Sequence, residues 1–401
     1  VRPDREVGVG VIGCGGIGRW HAISMRHIPG IKLVALADPD RAAREAAGTF
    51  GVPVLDSAEA LLARADIELV TICTPPHAHA VLIEAAAAAG KHALVEKPIA
   101  TTLADADRAL AACRMHRVQL GVVHQQRAQA STRALHQLAA AGKFGRLLLA
   151  TAHHTWFKTR TQLASDGWRG DATAGGGLLL DQAVHAIDLL VWFLGDPEWV
   201  NGASATLAHS GVEDTAVAMI GFTGGALAVL AAGASTNRAR DDISLELSGT
   251  RGGFRLEIRD YDAAEITRLD LAQSDDGRAR SLSSAEIESL VREAGGRWRQ
   301  GPAGLGWRLA SRLAGPGRGV HPFRSVRGYL RRSADRVAQR EHGEPQGHAE
   351  VLARMAAAVR GEGAPLVTGE EARRSLEIIE AIRRSEALGG RRVELAQAGA
   401  G

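Results

Sequence analysis

The chain has 401 residues, 45% of them apolar and 23% charged, with a formal net charge of +3. That length suggests two domains, and the composition excludes a collagen-like repeat, a mostly disordered chain and a membrane bundle. No window holds the ~18 uninterrupted apolar residues of a spanning helix. The three cysteines, Cys14, Cys73 and Cys113, form no CxxC and leave one unpaired, which argues for reduced thiols. The first residues, Val1-Arg2-Pro3-Asp4-Arg5-Glu6, are charged and lack signal-peptide architecture, so a cytoplasmic location is expected.

Residues 1–123 alternate short apolar runs with Ala-rich helical stretches. The runs are Val7–Ile12, Lys32–Ala37, Glu68–Cys73, His92–Val95 and Val118–Val123. Continuous rather than alternating apolar strands fit a parallel sheet covered on both faces. The helical stretches between them are Ile17–His27, Arg41–Ala47, Ser57–Ala63, Ala78–Ala89 and Leu103–Met115, which makes βαβ units. Beyond Gly142–Gly145 the strand candidates alternate: Arg146–Trp156, Val200–His209, Thr215–Phe222, Ala226–Ala234, Ile243–Gly249 and Phe254–Ile258. This predicts a second domain, 124–401, with a large, mostly antiparallel, open-faced sheet. One long helix, Leu178–Leu194, interrupts it. Residues 273–345 read as an insertion or long loop with two short helices. Within it, Arg292 to Arg340 contains twelve arginines against Glu293 and Asp335. Two closing helices follow, the second opened by a Thr368/Glu371 capping box.

The first strand runs into Gly13-Cys14-Gly15-Gly16-Ile17-Gly18, a GxGxxG placed between a strand and a helix. Glycine there permits the tight turn, the close approach of a pyrophosphate and helix–strand packing, and the helix start attracts the anion. Asp38 closes the second strand, where a carboxylate accepts ribose hydroxyls and repels a 2′-phosphate. This favours NAD over NADP, although Arg41 nearby suits a phosphate, so NADP is possible. Thr74-Pro75-Pro76 and Glu96-Lys97-Pro98 follow two further strands, at the carboxyl ends where ligands of such sheets bind. A lysine there can stabilise alkoxide character on a substrate oxygen.

In Gly175–Asp188, Asp181 and His185 are spaced i, i+4 and stack on one helix face beside the stripe Leu180, Val184, Ile187, Val191, Leu194. Imidazole is a natural general base near neutral pH.

Together, GxGxxG, Thr74–Pro98 (TPPHAHAVLIEAAAAAGKHALVEKP) and GGGxLxDxxxHxxD resemble the glucose–fructose oxidoreductase/inositol dehydrogenase (Gfo/Idh/MocA) family. The resemblance spans Val7–Phe254 and the last two helices, and fails over 273–345. It implies a Rossmann domain, an antiparallel-sheet domain that forms homodimers or homotetramers through its open face, NAD or NADP, and a sugar, cyclitol or nucleotide-sugar substrate. It implies catalytic Lys97, Asp181 and His185, and a cis Lys97–Pro98 peptide. The cofactor site it implies comprises Gly13, Gly15, Gly16, Ile17, Gly18, Asp38, Thr74, Pro75, His79, Glu96, Lys97, Trp168 and Arg169. One departure is His124-Gln125-Gln126-Arg127-Ala128, where the family often has an aromatic beside the arginine.

Competing readings are an NAD-dependent glycoside-eliminating enzyme with no net redox and a non-catalytic NAD-binding sensor. The arginine run lacks interleaved stacking aromatics, so nucleic acid is not expected, nor is a membrane; a small, possibly anionic, polyol or sugar is. His77 with His79, and His153 with His154, have no third ligand spaced to join them, so no metal is expected.

Overall fold

The structure is a computed structural model that describes residues 5–157, 167–208, 211–234, 242–259, 263–272, 279–293 and 347–396. Most of the arginine run therefore lies outside the described residues.

Six parallel strands form the first sheet: β1 (Val7–Ile12), β2 (Ile31–Ala37), β3 (Val54–Leu55), β4 (Leu69–Ile72), β5 (His92–Glu96) and β6 (Leu120–Val123). Their order is β3-β2-β1-β4-β5-β6. The order reverses between β1 and β4, which opens a crevice beyond their carboxyl ends. Both faces are buried, which is why the strands read as continuous apolar runs. Val7, Val9 and Val11 pack with α1 (Gly16–Met25) and α9 (Gly347–Val359), whereas Val70, Ile72 and Val95 face α4 (His79–Ala88) and α5 (Leu103–His116). The two-residue β3 is too short to show in the sequence. Asp40, Ser57 and Thr102 cap α2 (Arg41–Ala47), α3 (Ala58–Leu62) and α5 through their side chains.

The second sheet has nine strands, ordered β14-β13-β12-β11-β7-β10-β9-β8-β15. In chain order they are β7 (Leu147–Thr155), β8 (Pro197–Ala205), β9 (Thr215–Phe222), β10 (Leu227–Gly233), β11 (Asp242–Gly249), β12 (Gly252–Arg259), β13 (Ala263–Ala272), β14 (Ala279–Ser281) and β15 (Val393–Glu394). All pairs are antiparallel except β7 with β10. One face is covered by α6 (Ala130–Ala140), α7 (Val184–Leu194) and α10 (Gly369–Ala387). The other face exposes Leu149, Val217, Met219, Leu227 and Val229, each at least 40% accessible.

Within 273–345, read from the sequence as an insertion or long loop with two short helices, residues 279–293 hold a strand as well as a helix. They form β14, which pairs with β13, and α8 (Ser284–Glu293), which packs on α6. β13 was missed because charged residues occupy most of its outward positions, leaving Ile266 and Leu269 as its buried side chains. The most apolar part of Ala172–Leu194 is long enough to cross a membrane by composition, yet 94% of it is buried. It lies between β7 and β10 on one side and α10 on the other. α10 opens with the Thr368/Glu371 capping box expected from the sequence.

Phe254 is fully buried, its ring 5.5 Å from that of Phe144 and 5.0 Å from that of Phe193 on α7. It fixes α7 on the sheet. Phe254→Ala is expected to lower stability by about 3–5 kcal/mol in urea denaturation; a loss of only a few tenths would show that α7 is seated by other contacts.

Candidate active site

The glycine loop follows β1 at the reversal point. Gly13 has φ +98°, and a Cβ there would meet the Cys73 carbonyl at 2.6 Å. A Cβ on Gly18 would lie 1.8 Å from the Gly13 oxygen. These two glycines close the turn against β4. Gly15 and Gly16 are different: a Cβ on either meets nothing within 4 Å. They leave the outer face of the loop bare at the start of α1, which has no side-chain cap. Bare backbone at an uncapped helix start is what a phosphate requires. The exposed Ile17 adjoins it. Asp38 accepts from the amides of Cys14 (2.7 Å) and Asp40 (2.8 Å), which aims its half-buried carboxylate along this loop. Arg41 pairs with Glu45 within its own helix, and Arg44 donates to the carbonyls of Asp38 and Pro39. The donor set fits a dinucleotide with free ribose hydroxyls.

The ends of β4 and β5 are tied together by His79. Its ring nitrogens lie 2.7 Å from the Pro98 carbonyl oxygen and 2.9 Å from that of Thr74. The Lys97–Pro98 peptide is cis. Glu96 turns inward to His21, 3.0 Å away, with His348 3.9 Å from the same oxygen. His79 and Glu96 thus spend their side chains on internal contacts that hold the backbone beyond β4 and β5. Burial opposes charge on His21, but Cys73 and Glu96 outweigh it and push its pKa up to about 10. Burial likewise opposes charge on Glu96, but the His21 hydrogen bond and charge bring it down to about 2. His21, Glu96 and His348 are the one group with metal-ligand chemistry among the described residues, their ligand atoms all within 4.8 Å of one another. The His21–Glu96 hydrogen bond already joins two of those ligands.

Lys97 reaches across from the first sheet. Its Nζ donates to the Asp181 carbonyl and lies 3.3 Å from Asp181 Oδ1. Arg169 donates to the other carboxylate oxygen at 3.1 Å and stacks on Trp168, 4.6 Å from the ring centre. Asp181 lies in a π-helical turn, Leu179–Ala183, that leads into α7; such turns are frequent at functional sites. The sequence pattern suggests a plain α-helix there.

The three glycines before this turn each answer a different neighbour. A Cβ on Gly175 would meet Pro76 at 2.7 Å, one on Gly176 the Arg169 carbonyl at 2.4 Å, and one on Gly177 the Glu213 carboxylate at 2.4 Å. Glu213 accepts from the amides of Leu178 and Leu179, through its carbonyl (2.9 Å) and its side chain (3.2 Å), and so starts the helix.

His185 is one turn beyond Asp181 and 2% exposed. The rings of His124 and His154 each lie 6.4 Å from its ring. Burial, then Lys97, then the neighbouring imidazoles hold His185 well below the ordinary imidazole range. Burial also lowers His124, takes His154 to about 3 and His348 to about 4. His124, His154, His185 and His348 are therefore neutral at pH 7. His153 points to the opposite, exposed face of β7, and His77 is exposed.

His21, Arg127, Glu213 and His348 were not found from sequence. His21, three residues past the last motif glycine, was within reach. Glu213 sits in an interstrand turn, and His348 follows the aperiodic arginine run.

A histidine buried neutral favours the folded state only while the unfolded chain does not bind its proton. These four lose that balance as pH falls below the unfolded value of 6.5. The melting temperature should drop steadily from about pH 6.5 toward 4; a flat profile there would contradict neutral burial.

Residues 7–124 match a family model described as oxidoreductase family, NAD-binding Rossmann fold, and 132–255 match the GFO/IDH/MocA C-terminal domain. The chain is 32% identical over 252 residues to a 1,5-anhydro-D-fructose reductase of Ensifer adhaerens, covering 61% of this chain and 74% of that one. It is 30% identical over 297 residues to an inositol 2-dehydrogenase of Rhizobium meliloti, covering 70% and 87%. Its fold matches the WlbA dehydrogenase of Bordetella pertussis, solved with NADH and UDP-GlcNAcA, at a TM-score of 0.77 and 26% identity over 98% and 99% of the two chains. The chain belongs to the Gfo/Idh/MocA family and is an NAD-dependent oxidoreductase.

Proposed function

We propose that this enzyme interconverts a secondary alcohol and a ketone on a sugar, cyclitol or nucleotide sugar, with Lys97 and His185 acting at the same oxygen. The observation that carries this is the meeting of Lys97, the residue after β5, with Asp181, one helical turn from His185. NAD, when bound, would supply the hydride acceptor for the carbinol carbon. Gly13, Gly15, Gly16, Ile17 and Gly18 would hold its pyrophosphate and Asp38 its adenosine ribose, with Thr74, Pro75, Trp168 and Arg169 toward its other end.

Lys97 donates a hydrogen bond to the substrate oxygen and stabilises negative charge as it develops. His185, neutral, takes the hydroxyl proton as the C–H bond breaks, leaving a carbonyl and an imidazolium. Asp181 holds Lys97 in place and shares its charge with Arg169. Lys97 and Arg169 against the single carboxylate of Asp181 leave one net positive charge, which suits an anionic substrate; the WlbA relative was solved with UDP-GlcNAcA.

We read residues 1–123 as the dinucleotide domain and 124–401 as the substrate domain, with α9 and α10 packing back on the first sheet. The Gly121–Thr368 bridge and the Val122–Val367 hydrogen bond support that return. We further propose that a second copy of the chain covers the open sheet face. Its apolar side chains are on central strands, where an isolated protein rarely exposes a contiguous patch.

Two experiments test these readings. Absorbance of reduced nicotinamide is followed with NAD or NADP against cyclitols, aldoses, uronates and nucleotide sugars. Lys97→Met should lose at least ~100-fold in kcat while binding NAD nearly as before; full turnover in that variant would remove Lys97 from the chemistry. For the assembly, Val217→Asp with Met219→Asp should shift sedimentation from an oligomer to a monomer, and a monomeric unmodified chain would refute the interface.

A further inference from the structure

Arg127 lies in the short turn Gln125–Ala128 after β6 and is 1% exposed. Its Nε and one terminal nitrogen donate to the two carboxylate oxygens of Asp188, at 2.9 and 2.7 Å. The other terminal nitrogen donates to Glu371, in the first turn of α10, at 2.9 Å. The guanidinium carbon is 5.3 Å from the ring centre of Trp192. One buried side chain thus joins the end of the first sheet to two helices that pack on the second.

Asp188 is three residues past His185 on α7 and 0% exposed. His124 also lies close to it, Nδ1 3.6 Å from an Asp188 oxygen, and sets its ring edge-on to that of His185. The charged and titratable groups facing His124 are Asp188, Arg127, Lys97, Glu96 and His185. Those facing His185 are Lys97, His124, His154 and His348. A fork-shaped donor that takes both carboxylate oxygens leaves Asp188 with no need of a proton from His124.

We propose that Arg127 is a positioning residue for the reaction: by occupying both oxygens of Asp188 it withholds that carboxylate from His124, so that His124 packs on His185 as an uncharged ring, and it seats the helix that carries His185. This rests on His185 as the proton acceptor.

The test uses the full chain saturated with NADH, with imidazole nitrogen NMR across pH and kcat normalised to NADH-binding sites. In Arg127→Met, the orphaned Asp188 should charge His124 near neutral pH, whereas in the unmodified enzyme His124 stays neutral. kcat per site should fall on the order of 100-fold and acquire a new acid limb. Adding Asp188→Asn removes the orphaned charge and should abolish the limb, a rescue that a loss of packing alone would not give. If the Met variant does not fold, Arg127→Lys serves: it keeps the charge but cannot fill both oxygens, so rate should still fall. A neutral His124 in Arg127→Met, a limb that persists in the double variant, or unmodified kcat per site in Arg127→Lys would each overturn the proposal. The NMR arm needs no substrate; failure of the underlying reading would instead appear as full turnover in His185→Ala.

Discussion

The carboxylate of Asp181 is shared between two cations from different parts of the chain. Lys97 comes from the end of β5 in the parallel sheet, and Arg169 from the turn before the π-helical segment. Asp181 itself is only 2% exposed. A carboxylate buried this deeply is costly unless paired and hydrogen-bonded. The pairing therefore settles where the ends of the two sheets meet. The glycines at 175–177, the Glu213 cap and the π-helical turn all serve to bring that carboxylate to Lys97.

Around this centre the buried ionisable groups sort into two kinds. His21 with Glu96 and Arg127 with Asp188 are charged pairs that hold backbone segments in place. His124, His154, His185 and His348 are uncharged rings kept so by burial and by the cations nearby. The separation is chemically useful. A ring that is neutral at the start of turnover can accept a proton, and fixed charges behind it need no rearrangement when it does.

Much of this was legible in the residues. The glycine loop, Asp38, the EKP tripeptide and the Asp181/His185 spacing were visible because each depends on local sequence: a turn, a strand end or one helix face. The parallel sheet was legible from continuous apolar runs, and the second sheet from alternation in β9, β10 and β11. What escaped was non-local. Arg127 showed in the sequence only as part of a departure from the family, and its partners Asp188 and Glu371 are 61 and 244 residues away. The π-helical turn depends on Glu213, which reaches it from an interstrand turn. β13 escaped because its pairing with β12 shifts register between Arg255 and Leu256, so its buried Ile266 and Leu269 fall three residues apart and break the alternation of a strand.

The proposed chemistry requires an ammonium and an imidazole to converge on one alcohol oxygen beside the dinucleotide. A crystal structure of the complex with NAD and an unreactive alcohol analogue is the decisive experiment. Lys97 Nζ and a ring nitrogen of His185 are both expected within hydrogen-bonding distance of that oxygen, on the nicotinamide side of the crevice. An alcohol held by other groups, with either nitrogen turned away from it, would rule this chemistry out.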